Sequence, residues 1–212
     1  MCGDATNWDE DAYRESILKE REIRTRTVFR TVWAPSQNPN PDAIVVASSD
    51  GSLASYSISS CISKLQYGFN NTRSQHFLVA EPQSFLQGHD GPAYDIKFYG
   101  RGEDTLLLSC GDDGRIRGWR WKEFTNSDVP IPLQGTKHEN YLHCIVARNT
   151  ANQAITGSED GTARIWDCKS GKCIQVIDPA ENSKLKGFVS CVSCIALDGS
   201  ESWLVRFYVI RM

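Results

Sequence analysis

Three stretches of the chain repeat one pattern, and that repetition limits what the chain can fold into. They are Val45-Val46-Ala47-Ser48-Ser49-Asp50-Gly51, Leu107-Leu108-Ser109-Cys110-Gly111-Asp112-Asp113-Gly114 and Ala154-Ile155-Thr156-Gly157-Ser158-Glu159-Asp160-Gly161. Each runs from apolar residues through small ones to Asp-Gly. An aromatic follows six residues after the Asp, at Tyr56, Trp119 and Trp166. Self-similarity at a period of some tens of residues marks stacked units that bury their apolar faces against one another. Asp-Gly between apolar runs signals a hairpin, because glycine takes a positive φ at no steric cost.

Around these turns the texture is β. Val28 to Trp33, Ile44 to Ala47 and Leu53 to Ile58 read as strands of a first cycle, followed by Ser84-Phe85-Leu86. Residues 59–75 are polar and read as an irregular insertion loop. Tyr94 to Phe98, Thr105 to Leu108 and Arg115 to Trp119 make a second cycle. Leu142 to Val146, Ala154 to Thr156, Thr162 to Trp166 and Lys172 to Ile177 make a third. A fourth opens with Ser193 to Leu197, Asp198-Gly199 and Trp203-Leu204-Val205. Ahead of the repeats, residues 9–24 place acids first and bases last with a thin apolar stripe, which predicts a short amphipathic helix. Lys19, Arg21, Arg24, Arg26 and Arg30 are interleaved with Glu15, Glu20 and Glu22, so they read as a solvated face rather than a nucleic-acid patch.

Four strands per unit, Gly-His early and Trp-Asp late, resemble the WD40 family. Gly88-His89 stands about 30 residues before Trp119, and His138 about 28 before Trp166-Asp167. The resemblance implies an all-β WD40 β-propeller, incomplete here, with about three blades plus part of a fourth after a short N-terminal helix. The organisation expected is a helical segment at 1–26, a partial propeller at 27–205 and a divergent tail at 206–212. The blades fall near 27–86, 87–134, 135–178 and 190–205. The family also implies structural tetrads that hydrogen-bond within a blade: His89, Ser109, Asp113 and Trp119 in the second, His138, Thr156, Asp160 and Trp166 in the third. The first blade departs, with Tyr56 for Trp and no matching His. His89, Ser109 and Asp113 imitate a nucleophile triad. The set recurs in the next blade with Thr156, however, and recurrence belongs to a hydrogen-bond staple rather than to a catalytic centre. No catalytic residue and no cofactor is expected, and the chain reads as a non-enzyme.

Residues 154–169 resemble the DWD box of WD40 proteins that bind the damaged-DNA-binding adaptor of cullin-4 ubiquitin ligases. The box residues are Asp160, Trp166, Asp167 and Lys169. The second blade has Arg120 at the acid position and the first has Ser57, so only the third carries the box. The predicted N-terminal helix, Trp33-Ala34-Pro35, Gln87 to Pro92 and Trp119-Arg120-Trp121-Lys122 are similar to the WD40 subunits of plant THO complexes. That resemblance implies an interaction scaffold in mRNA processing and export, with other THO subunits as partners. It further implies substrate reception for a cullin-4 ligase that represses abscisic acid signalling. The location implied is the nucleus, with the cytoplasm second. A WD40 scaffold with no ligase link is the alternative.

Bulk properties agree with a partner platform. A net charge of −3 gives no global argument for nucleic acid or membrane. The N-terminus lacks the apolar core of a secretory signal, so the eight cysteines are expected to be reduced. Cys191-Val192-Ser193-Cys194 is a lone C-x-x-C, and Cys168, Cys173, His138 and His143 lie loosely near it in sequence. Residues i and i+3 of a strand point to opposite faces, so no metal is expected there. After Trp203-Leu204-Val205 the repeat rule fails. The expectation is a truncated or alternatively spliced form, an open arc that is poorly soluble alone, with a non-functional truncated form as a further alternative.

Overall fold

The computed structural model describes residues 9–11, 13–14, 26–70, 80–126, 138–178, 181, 189–202 and 204–210. Most of the helix expected over 9–24 lies outside the described residues. The first sheet is an antiparallel meander of β1 (Val28–Trp33), β2 (Ala43–Ser48), β3 (Ser52–Ser57) and β4 (Ser84–Gln87). The second contains β5 (Ala93–Tyr99), β6 (Leu106–Gly111) and β7 (Ile116–Arg120). The third contains β8 (Leu142–Arg148), β9 (Gln153–Ser158), β10 (Ala163–Asp167) and β11 (Cys173–Ile177). The fourth pairs β12 (Val189–Leu197) with β13 (Leu204–Ile210). Together they are consecutive blades of a partial β-propeller. β13 continues to Ile210 without a break at Val205.

The Asp-Gly turns are built alike. Gly51, Gly114 and Gly161 have φ of +80°, +71° and +84°. In each turn the Asp carboxylate accepts the backbone N–H two residues on: Ser52 to Asp50 at 3.0 Å, Arg115 to Asp113 at 3.1 Å, Thr162 to Asp160 at 2.9 Å. That bond fixes the reversal the short side chain and the glycine permit.

Successive blades are joined by three apolar layers. Val45, Ala47 and Leu53 pack with Ile96, Leu107 and Trp119. Leu108 and Cys110 pack with Leu142, Ile145, Ala154 and Trp166. Ile155, Ala163 and Ile165 pack with Val192 and Ile195. Alternation explains the apolar runs: Leu107 faces the preceding blade and Leu108 the following one, as Ala154 and Ile155 do on β9.

First strands pack on first strands, β1 on β5, β5 on β8 and β8 on β12, which places them nearest the axis. Asp95 ties three of them together. Its carboxylate takes the Arg30 guanidinium of β1 at 2.9 Å and the Ile145 N–H of β8 at 3.0 Å. Burial pushes the Asp95 carboxyl up, and the Ile145 N–H and Arg30 pull against that shift. Arg26, also read from sequence as a solvated base, pairs with Asp50 at 2.6 Å and lies over the Phe85 ring.

The expected insertion loop at 59–75 is instead helical at its start, where α1 spans Ile58–Asn70. Ser57 caps it, its Oγ accepting the Ser60 N–H at 3.1 Å. The Asp42 carboxylate accepts the Ser59 N–H at 2.7 Å and both serine hydroxyls. The acid that makes this N-terminus favourable comes from 15 residues upstream of Ser57, so no local pattern showed it. A second short helix, α2 (Trp121–Asn126), follows β7 and stacks Trp121 on Phe124.

Candidate functional site

In the second blade, His89 Nδ1 stands 2.9 Å from Asp113 Oδ1 and Nε2 stands 2.6 Å from Ser109 Oγ. In the third, His138 Nδ1 is 2.8 Å from Asp160 Oδ2 and Nε2 is 2.9 Å from Thr156 Oγ1. A carboxylate only accepts, so each Nδ1 carries the proton, each Nε2 accepts, and each hydroxyl donates to it. The third chain is longer. Trp166 Nε1–H donates to Thr156 Oγ1 at 2.9 Å, giving a run Trp166 to Thr156 to His138 to Asp160 in which every link donates onward. Trp119 meets His89 edge-on at 6.3 Å instead, and no hydrogen bond to Ser109 is seen among the described residues.

These sets have the partners of a Ser-His-Asp triad but no access. Ser109 and Thr156 are fully buried, and His89 and His138 are 2% and 1% exposed. A substrate carbonyl has no route to either hydroxyl, so the arrangement staples the turn to the strand instead of activating a nucleophile.

Burial opposes ionisation of Asp113 and Asp160. The bonds from His89, the Arg115 N–H and Arg117 outweigh it at Asp113, and those from His138 and Thr162 do so at Asp160, holding both carboxyls well below the usual range. A depressed folded pKa stabilises fully above the unfolded value and is lost as the pH falls towards the folded one. Stability should therefore fall steeply below about pH 4. Asp160→Asn should start less stable and fall less steeply. Urea midpoints followed from about pH 6 to about pH 2 check this, and parallel curves would contradict it.

The four box residues separate by role. Asp160 and Trp166 are occupied within the blade. The Asp167 carboxylate accepts the N–H of Ser170 at 2.9 Å and its hydroxyl, closing the turn after β10. Lys169 is exposed at that turn. In the second blade Arg120, at the position of Asp167, pairs locally with Glu123 at 3.1 Å.

A belt that the sequence reading missed runs across the first strands. β1, β5 and β8 each carry a bulge, and the extra residue is Phe29, Tyr94 or His143. A bulge re-aims its side chain. The three rings line up, Phe29 5.2 Å from Tyr94 and Tyr94 6.0 Å from His143. Each polar member reaches the acid just before the turn Asp: Tyr94 donates to Asp112 at 3.1 Å, and His143 Nε2 lies 2.8 Å from Glu159 Oε2. The available signal was an offset, since Tyr94 and His143 each lie five residues after a tetrad histidine.

Of the cysteines of the C-x-x-C, Cys191 is buried and Cys194 exposed, and the register of β12 skips a residue between them. His138 is engaged in its tetrad and Cys168 in the layer between the second and third blades, so neither joins them. Among the described cysteines no disulfide is formed. Among the described residues no helix is long and apolar enough to cross a membrane.

Residues 80–120 and 132–167 match the WD40 family, described as WD domain, G-beta repeat. The chain is 46% identical to THO complex subunit 6 of Arabidopsis thaliana, over 97% of this chain and 72% of that protein. Against THO complex subunit 6 of Homo sapiens the identity is 22%, over 82% of this chain and 61% of the human one. The chain thus spans about three-fifths to three-quarters of these relatives. Among solved structures, a chain of the Mitotic Checkpoint Complex is similar at a TM-score of 0.58 and 14% identity, over 86% of this chain and 45% of that one. The computationally designed Ika4 protein gives 0.53 and 13%, over 86% of this chain and 91% of that one. These two speak to the fold alone. The buried staples, the blade order and an identity that extends over nearly the whole chain converge: it belongs to the THO complex subunit 6 family of WD40-repeat proteins.

Proposed function

We propose that the chain is a non-enzymatic scaffold subunit of a nuclear THO-type assembly, working in mRNA processing and export. The observation that carries this is the 46% identity over 97% of the chain to a THO complex subunit. The geometry supports it, because the residues that resemble catalytic groups are sealed inside blades. A tagged copy expressed in plant cells should co-purify from nuclei with other THO subunits. Recovery of the folded chain without them, or exclusively from cytoplasm, would refute the reading.

A second role is supported by the third-blade box: reception of substrates for a cullin-4 ligase through its damaged-DNA-binding adaptor, with repression of abscisic acid signalling. Asp167 holds its own turn, so reversing its charge mixes folding with binding. Lys169 is the cleaner probe. Lys169→Glu should lower adaptor pull-down about 10-fold or more, a coupling of the size one close charge pair supplies, while THO association stays unchanged. Equal pull-down by both proteins removes the ligase role and leaves a scaffold without it.

A further inference from the structure

The belt of bulge residues changes chemistry at the third blade. In the first blade the bulge residue is Phe29 and the residue before the turn Asp is Ser49. In the second, Tyr94 pairs with Asp112 through its hydroxyl, and a neutral phenol is a weak ligand for a transition metal. In the third the same two positions hold an imidazole and a carboxylate, His143 and Glu159. There the next blade adds a third donor, the Cys191 thiol of β12. The ligand atoms of His143, Glu159 and Cys191 lie within 4.8 Å of one another. We propose that His143, Glu159 and Cys191 form a zinc site that clips the third blade to the fourth.

The donor set fits zinc. One nitrogen, one oxygen and one sulfur suit a borderline-soft divalent cation better than magnesium or calcium, which take oxygen ligands. With bonds of about 2.0–2.3 Å, tetrahedral ligands stand about 3.3–3.8 Å apart, so the present cluster reaches coordination by shifts of about 1 Å. His143 and Glu159 separate slightly, and the Cys191 sulfur moves in. On binding, the thiol proton leaves to solvent and sulfur coordinates as thiolate. The side chains of His143 and Glu159 are 29% and 35% exposed, so the fourth position opens to solvent and admits water or a partner's ligand.

The frame around the site is rigid. The Glu159 N–H donates to the Tyr141 carbonyl at 2.9 Å, and the Ser158 hydroxyl donates to the same carbonyl at 2.8 Å. These bonds hold the turn bearing Glu159 against the start of β8, where His143 sits. Gly157 lets β12 approach, since a Cβ there would lie 2.7 Å from Val192 Cγ1. Cys191 precedes that valine, so the close approach also brings its sulfur to the pair. Cys194 is exposed and lies outside this cluster, so it supplies an internal control.

The test is cobalt titration of the purified chain, followed by competition with zinc. The wild type should develop the visible bands of tetrahedral cobalt and a near-ultraviolet thiolate charge-transfer band, both displaced by zinc. Cys191→Ser should abolish the charge-transfer band. His143→Ala and Glu159→Gln should each weaken binding by about 10-fold or more, while Cys194→Ser leaves it unchanged. Because Cys191 is buried, folding of every variant is checked by circular dichroism, and the partly exposed His143 and Glu159 carry the test if Cys191→Ser misfolds. Zinc should also raise the melting temperature of the wild type but not of His143→Ala. Absence of cobalt uptake by the folded wild type overturns the proposal. So does uptake that survives His143→Ala and Glu159→Gln, or that is lost in Cys194→Ser.

Discussion

Thr156→Val should cost about 2–6 kcal/mol, among the largest losses any near-isosteric change in this chain can produce. The hydroxyl has two jobs. It accepts the Trp166 indole N–H at 2.9 Å and donates to His138 Nε2 at 2.9 Å. All three groups are buried. Valine keeps the shape and removes both bonds, stranding one donor and one acceptor at about 1–3 kcal/mol each. Ser109→Ala in the second blade is the comparison. Its hydroxyl serves His89 Nε2 without a bond to Trp119, so about 1–3 kcal/mol is expected. Urea melts of the two variants should therefore differ, with Thr156→Val the weaker protein. A cycle with Trp166→Phe sharpens the assignment: the double variant should lose less than the two single losses added, because the stranded indole donor is gone. Equal losses for Thr156→Val and Ser109→Ala would mean that the third-blade chain carries no extra weight.

The same two blades show what sequence could reveal. The Asp-Gly turns were legible because their physics is local: an Asp, a glycine at positive φ and an N–H two residues on. The His, hydroxyl and Asp positions of each staple were legible because they recur. Recurrence did not reveal that Trp166 reaches its hydroxyl while Trp119 turns its edge to the imidazole. That difference lies in how each indole is set beside its imidazole, which recurrence does not specify.

Other features were hidden because they rest on residues distant in sequence. α1 looked like a loop because Asp42, which accepts at its N-terminus, arrives from another part of the chain. Arg30 looked solvated because its partner, Asp95, lies on the next blade. The belt of Phe29, Tyr94 and His143 depends on bulges, and a bulge leaves no mark in a hydrophobic pattern beyond one residue out of phase. What was missed belongs to contacts between residues far apart in sequence or to local bulges, about which a repeat pattern carries no information.

Gly157→Val should separate the last two blades. The position does not call for glycine on backbone grounds, since its φ is not positive. It calls for space. A Cβ would lie 2.7 Å from Val192 Cγ1, 2.8 Å from Cys144 Sγ and 2.8 Å from the Val192 carbonyl oxygen. The side-chain contacts could relax, but the carbonyl belongs to the backbone of β12, so relief requires the strand to move. The corresponding residue of the second blade is Cys110, whose thiol fills that room and points to the Leu142 carbonyl of the next first strand. In the third blade Val192 fills the room from the other side. Overpacking of this kind costs about 1–3 kcal/mol. Here it falls on the apolar layer that packs β12 on the third blade, Ile155, Ala163 and Ile165 against Val192 and Ile195. Amide exchange should therefore speed up at Val192 and Ile195 well before it does at Ile96 or Leu107. Gly161→Ala, with nothing within 4 Å of its Cβ, strains only its turn, by about 1–2 kcal/mol, and should leave exchange in β12 unchanged. If Gly157→Val leaves β12 as protected as the second blade, the close approach does not hold the fourth blade, and that blade is held by something other than this layer.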